Sequence, residues 1–159
     1  MEVQKKSRQI LHHALALILC GLVWGAVVPH TPYPRLALTA HIQFMVNGLL
    51  FLVMAVLLLA IPNKVGPRSA FIMLLAVWLT WIMLASEVGN AWWGTKEILP
   101  LAAEQAGAKG GTEAQELTVA LAHILSSVGL IAAWSLLVAG FWGSTNETRV
   151  AQLPSGKEK

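Results

Sequence analysis

The chain has one cysteine, Cys20, and one tyrosine, Tyr33, and charged residues fill only 12% of its 159 positions. One thiol cannot build a disulfide framework or a zinc site of paired cysteines, so Cys20, inside an apolar run, reads as a packing residue. The shortage of charge decides more. Soluble domains carry about 25% charged and roughly 45–50% apolar residues. Here 56% of the chain is hydrophobic, which places it among integral membrane proteins. The Lys and Arg side chains sit at the ends and in the connections, as flanks of membrane spans rather than a nucleic-acid-binding patch.

A spanning helix needs about 20 largely apolar residues, and open strands would leave backbone groups unpaired in lipid. The pattern predicts an all-α membrane protein: four transmembrane helices, about 10–29, 40–61, 70–93 and 116–142, in an up-down bundle. They form one domain over 1–143, followed by a polar tail over 144–159. The first span resembles a signal peptide in its basic start and apolar middle but lacks a small-x-small cleavage site, so it reads as a retained helix. Prolines in "PHTPYPR" and "IPNKVGPR" punctuate the first two connections. The longer third connection, "GTKEILPLAAEQAGAKGGTEAQ", is expected to fold over one end of the bundle.

Orientation follows from the cations. Lys5, Lys6, Arg8, Lys64, Arg68, Arg149, Lys157 and Lys159 would share one side, against Arg35, Lys96 and Lys109 on the other. Both termini are therefore expected in the cytoplasm, and a bacterial inner membrane is the expected location. Trp92, Trp93 and Trp142 fall near span ends, where amphipathic rings favour the interface. Trp78, Trp81 and Trp134 lie deeper, open to packing or to ligand stacking. "AHIQFMVNGL" in the second span echoes "AHILSSVGL" in the fourth, the mark expected of a duplicated hairpin.

Ionisable and polar groups inside spans cost insertion energy, about 2.5–3.5 kcal/mol for a charge at a helix centre, so each is a functional candidate. At about 100° per residue, Glu116, Ala120, His123 and Ser127 form one stripe of the fourth span. Glu87 shares a face with Thr80, Asn90 and Ala91, too deep to reach water unless a cavity admits it, so it either finds a partner or stays protonated. Gln43 and Asn47, four apart, can hydrogen-bond each other or a neighbouring helix. His41 points with Met45 and Gly48 about 160° away from Gln43. His12 and His13 read as surface residues and His30 as a loop residue.

Carboxylates and imidazoles projecting into a helical bundle are the usual ingredients of di-iron sites, making His41, Glu87, Glu116 and His123 a candidate metal set. The Glu-x-x-His spacing is missing, because Asn90 stands where the second histidine would be. Bis-imidazole haem ligation would draw on the same histidines. The cofactor therefore stays open between non-haem iron, haem and none. Gly21, Gly25, Gly48, Gly129 and Gly140 allow close helix approach, and a homo-oligomer is expected.

"PRLALTAH", "NGLLFL", "WWGTKEILPLA" and "GGTEAQE" together resemble the small four-helix membrane proteins of the hydroxylaminobenzene mutase family, over about residues 10–143. The match rests on the order and spacing of motifs around His41, Gly48, Gly94, Pro100, Gly111, Thr112, Gln115 and Glu116. The resemblance implies an isomerase that converts aryl hydroxylamines to aminophenols by moving hydroxyl from nitrogen to the ring. The resemblance also extends to members thought to oxidise nitrogen–nitrogen substrates, which implies iron as an alternative cofactor. Gln43 stands where relatives carry an acid, which puts the mutase reaction, though not the fold, in question.

On this reading Glu116 or Glu87 is the acid, with His41 and His123 as proton shuttle or ligands. Asn47, Asn90, Trp81 and Gln115 are the candidate substrate-binding residues. The alternatives are an iron-dependent N-oxidising enzyme of the same family, or a non-enzymatic haem-bearing electron carrier or partner subunit.

Overall fold

The computed structural model describes residues 1–142, and the expected tail over 144–159 lies outside them. Helix α1 (Glu2–Val27) runs into a single 3₁₀ turn (Val28–His30). It is followed by α2 (Pro34–Ala60), α3 (Pro67–Trp93), the short α4 (Pro100–Ala106) and α5 (Glu113–Trp142). All the regular elements described are helical, and four of them are long and apolar enough to cross a membrane.

The helix starts differ from the sequence expectation for local reasons. Helix α1 begins at Glu2 rather than near residue 10, because "EVQKKSRQ" contains no breaker and is built mainly of straight-chain helix formers. Helices α2 and α3 each start on a proline, whose fixed φ and missing N–H suit the first turn. The prolines read as stops are equally starts. Gly94 ends α3 in the left-handed region, φ 66°, with its N–H on the Asn90 carbonyl at 3.0 Å, a conformation that glycine adopts without a Cβ penalty.

Packing organises the spans into two antiparallel hairpins, α1 on α2 and α3 on α5. Small residues set the approach. A Cβ at Gly48 would lie 2.6 Å from Ile18 Cγ1 and 3.2 Å from the Ala14 carbonyl oxygen, and one at Gly129 would lie 2.9 Å from Leu79 Cδ1. In both hairpins a glycine of the second helix thus faces the first helix, as the repeated "AHI…GL" leads one to expect. Helix α3 also packs on α1 and α2, whereas α5 rests chiefly on α3. The core, which includes Phe51, Met54, Met73, Val77 and Leu84, draws most of its buried residues from the first three spans, with Ala122, Ala133 and Leu137 added by α5. Helix α5 is the least covered by protein and α3 the most.

One end is closed by connections. The Tyr33 N–H reaches the Ala91 carbonyl at 3.2 Å, and the Gly110 N–H reaches that of Gly94 at 3.2 Å. Helix α4 lays Ala102 and Ala103 on Leu36, with Arg35 Nε donating to Gln105 Oε1 at 2.6 Å. The third connection does fold over an end. At the opposite end Lys6 Nζ donates to the Pro67 carbonyl at 3.4 Å, and the Lys64 N–H to that of Gly140 at 3.0 Å. The start of α1, the α2–α3 connection and the last turn of α5 therefore share one face of the layer.

Candidate functional site

The most unusual contact lies inside the α3–α5 seam. Glu87, 1% exposed, meets His123 Nε2 through Oε1 at 2.6 Å, while His123 Nδ1 lies 2.8 Å from the Val119 carbonyl oxygen of its own helix. A carbonyl can only accept, so Nδ1 carries a proton. The Nε2–Oε1 contact then needs one proton between two atoms that would otherwise both present lone pairs. Either the acid is neutral and donates, or the imidazole is charged and donates. In both cases the pair as a whole is neutral, the condition under which it can sit in lipid at a tolerable desolvation cost. Glu87 Oε2 has no partner among the described residues. It is the open atom of the pair.

The same seam holds a second polar contact, Thr80 Oγ1 to Ser126 Oγ at 3.3 Å, both buried. The buried row of α5 thus includes Glu116, Val119, Ala122 and Ser126, and Ser127 of the expected stripe is exposed. The geometric reason is a rotation of the buried face by one residue toward α3.

Glu116 serves the loops. Its carboxylate accepts from the backbone N–H groups of Lys96 (3.0 and 3.1 Å), Glu97 (3.1 Å) and Gly111 (2.9 Å). One buried side chain thereby ties both ends of the third connection to the first turn of α5. Gln115 and Thr112 form a reciprocal cap, Thr112 N–H to Gln115 Oε1 at 2.8 Å and Gln115 N–H to Thr112 Oγ1 at 3.4 Å, the capping-box arrangement. Asn90 Oδ1 accepts from the Thr95 N–H and hydroxyl, both at 2.7 Å, and so seals the end of α3. Three residues expected at a ligand are thus engaged in closing this end.

His41 faces the other hairpin. Its Nδ1 lies 2.8 Å from the Gly21 carbonyl oxygen, and a Cβ at Gly25 would press on the imidazole at 3.0 Å. Met45 meets Gly21, and Gly48 meets Ile18, so the three residues expected on one face do share the α1-facing side of α2. His41 does not join the Glu116 and His123 stripe, because α1 stands in front of it. Among the described residues no three His, Cys, Asp or Glu side chains converge as a metal would require. The four expected ligands are split over three places. A haem held between His41 and His123 of one chain is likewise not built, since Glu87 occupies His123 Nε2. Among the described residues His41 Nε2 has no such partner, and it presents a lone pair once Nδ1 donates to the Gly21 carbonyl.

Asn47 donates to the Gln43 carbonyl at 2.9 Å and to Gln43 Oε1 at 3.0 Å, the mutual pairing expected for residues four apart. Trp81 donates from Nε1 to His13 Nδ1 at 3.3 Å and meets Phe44 edge-on at 6.2 Å between centroids. His13 also abuts the Trp78 ring at 4.9 Å. It is therefore a packed residue and not a surface one. Its proximity to the buried Ile10, Ala14 and Leu17 face of α1 was the available signal. Nearby, an apolar cleft of about 330 Å³ is walled by Leu19, Val23, Trp24, Phe44 and Val88. Trp24 adjoins Gly25, against which His41 rests, and Val88 follows Glu87. The cleft is thus one residue along the chain from Glu87 and from Gly25, and neither Glu87 nor His41 lines it.

Comparison with known proteins gives a consistent picture. A family model described as styrene oxide isomerase matches residues 6–142. Hydroxylaminobenzene mutase HabB of Ectopseudomonas oleovorans is 28% identical over 139 residues, covering 86% of this chain and 80% of that protein. Hydroxylaminobenzene mutase HabA of the same organism is 29% identical over 91 residues, 56% of this chain and 66% of that protein. No solved structure matches.

Proposed function

Because the chain belongs to the styrene oxide isomerase family, we propose that it is a membrane-embedded isomerase of small neutral aryl substrates, converting aryl hydroxylamines to aminophenols. Styrene oxide and hydroxylaminobenzene, named for the family and for the relatives, share a flat ring and a breakable bond to oxygen on the atom next to it. Such molecules partition into lipid, and the cleft lined by Trp24 and Phe44 has the apolar, aromatic walls that suit them.

The observation that carries this reading is the buried Glu87–His123 contact with its open Oε2. Cleaving N–O requires a proton on the departing oxygen. The pair donates it, the N–O electrons leave with oxygen as water, and that water adds to the ring of the aryl-nitrogen cation. Loss of one proton back to the pair, and transfer of the ring C–H proton to nitrogen, restores both aromaticity and the catalyst, so no atom is gained or lost. Aromatic faces shield the cationic intermediate. The acid role assigned in sequence to Glu87 or Glu116 falls on Glu87, since Glu116 is held by three backbone amides.

The test is turnover of phenylhydroxylamine to 2-aminophenol by the purified protein, with styrene oxide run in parallel. Activity in the wild type and its loss in a folded Glu87→Gln protein are expected. A folded wild type that turns over neither substrate would sink the proposal.

A second reading has its own observation. With Nδ1 tied to the Gly21 carbonyl, His41 is oriented as metal-bound histidines usually are, by a backbone acceptor behind the ring, and its free Nε2 fits one ligand position of haem or non-haem iron. Bound there, iron would supply a Lewis acid for substrate oxygen or a redox couple. Metal analysis and an absorption spectrum, compared with His41→Ala, distinguish this reading. A protein with a His41-dependent Soret band and no turnover is an electron carrier rather than an isomerase.

A further inference from the structure

We infer that the outward face of α1 is a binding site for an anionic phospholipid. Lys5, Arg8 and His12 recur at three- and four-residue spacing and are all exposed, so they fall within one narrow sector of the helix. The same sector continues as Leu15, Leu19 and Leu22, 51%, 62% and 59% exposed. One stripe is thus cationic where α1 leaves the apolar layer and hydrocarbon along its length, the order in which a phospholipid presents phosphate and acyl chain.

The cationic part is a groove and not a flat face. Met1, Gln4, Lys5, Arg8, Gln9 and His12 line about 450 Å³ there. It supplies an ammonium, a guanidinium fork suited to phosphate, and amide and imidazole donors. Among the described residues the charge is uncompensated. The one described acid near it, Glu2, bridges to Lys6 at 3.6 Å, and Lys6 turns away to Pro67 and to the Phe71 ring at 5.7 Å. Among the described residues Lys5 and Arg8 have no ion-pair partner.

Charge complementarity selects the occupant. A zwitterionic headgroup brings its own ammonium into a site already rich in cations, whereas an anionic one neutralises it. Each cation near a membrane surface contributes about a fivefold preference for anionic lipid. Lys5 and Arg8 together account for a preference of roughly 25-fold.

The experiment uses the full chain in mild detergent. Phosphatidylglycerol and phosphatidylcholine of identical acyl chains are titrated and bound lipid is read by native mass spectrometry. Phosphatidylglycerol is expected to bind about 25 times more tightly, Arg8→Gln to lose about fivefold, and Lys5→Gln with Arg8→Gln to bring the two lipids level. Lys109→Gln, which removes one charge at the opposite end, is expected to change nothing. Equal binding of the two lipids to the wild type, or an equal loss in Lys109→Gln, overturns the site. Displacement of lipid by glycerol 3-phosphate at matched concentration overturns the acyl half of the stripe.

Discussion

Replacing the buried pair one residue at a time and then together tests the most consequential contact in the molecule. In His123→Leu, Glu87 loses its only partner among the described residues while remaining 1% exposed. The loss combines an interhelical hydrogen bond in lipid, about 0.6–2 kcal/mol, with the desolvation of a buried acid that has no partner, about 1–3 kcal/mol. A cost of roughly 2–4 kcal/mol is expected. In Glu87→Leu, His123 keeps its Val119 bond, and its side chain is 12% exposed, so about 1–2 kcal/mol is expected. The double variant leaves an apolar seam of similar volume and no orphan. It should fall within about 1 kcal/mol of wild type.

The coupling energy is therefore at least about 2 kcal/mol, measured by reversible unfolding in mixed micelles or by steric trapping in bicelles. Turnover should be absent from all three variants, so the double variant is stable and inactive. Additive single costs, or a larger cost for Glu87→Leu than for His123→Leu, would refute the assignment of the proton-sharing pair.

Other expectations follow from local geometry. Gly48→Ala should lower the melting midpoint, because its Cβ would sit 2.6 Å from Ile18 and 3.2 Å from a backbone oxygen. Gly66→Ala, with nothing within 4 Å, should shift it little. Glu116→Ala strands three backbone N–H groups at the loop end. It should cost roughly 1.5–3 kcal/mol and expose residues 94–112 to limited proteolysis, with Glu116→Gln intermediate. If iron is bound, His41→Ala should lose it while His123→Ala retains it, as read by metal analysis.

What the sequence shows of this fold follows how local each cause is. The four spans are legible because apolar length is a property of the segment alone, and the Gln43–Asn47 bond because both residues lie on one helix. Glu87 and His123 stand out as expensive residues. Their union is not legible, since it depends on how α3 and α5 rotate about each other, and a shift of one residue also moved the buried position from Ser127 to Ser126. That His41 shares a side of α2 with Met45 and Gly48 follows from helix geometry, but the partner expected for that side, the Glu116 and His123 stripe, is replaced by α1, and the identity of the facing helix is a tertiary fact. The capping roles of Asn90 and Gln115 are open to sequence reading through Gly94 and the "TEAQ" run.

Helix α5 has protein on little more than one side, and its 30 residues extend about 45 Å against a hydrocarbon layer of about 30 Å. Within a single chain, most of its surface is therefore left to face the surroundings rather than α3. A bilayer of different thickness is expected to change the tilt of such a helix at a modest energetic cost, and both the Glu87–His123 and the Thr80–Ser126 contacts cross the seam that would adjust. Bilayer thickness is thus an expected influence on the Glu87–His123 contact, one that acts with no ligand at all.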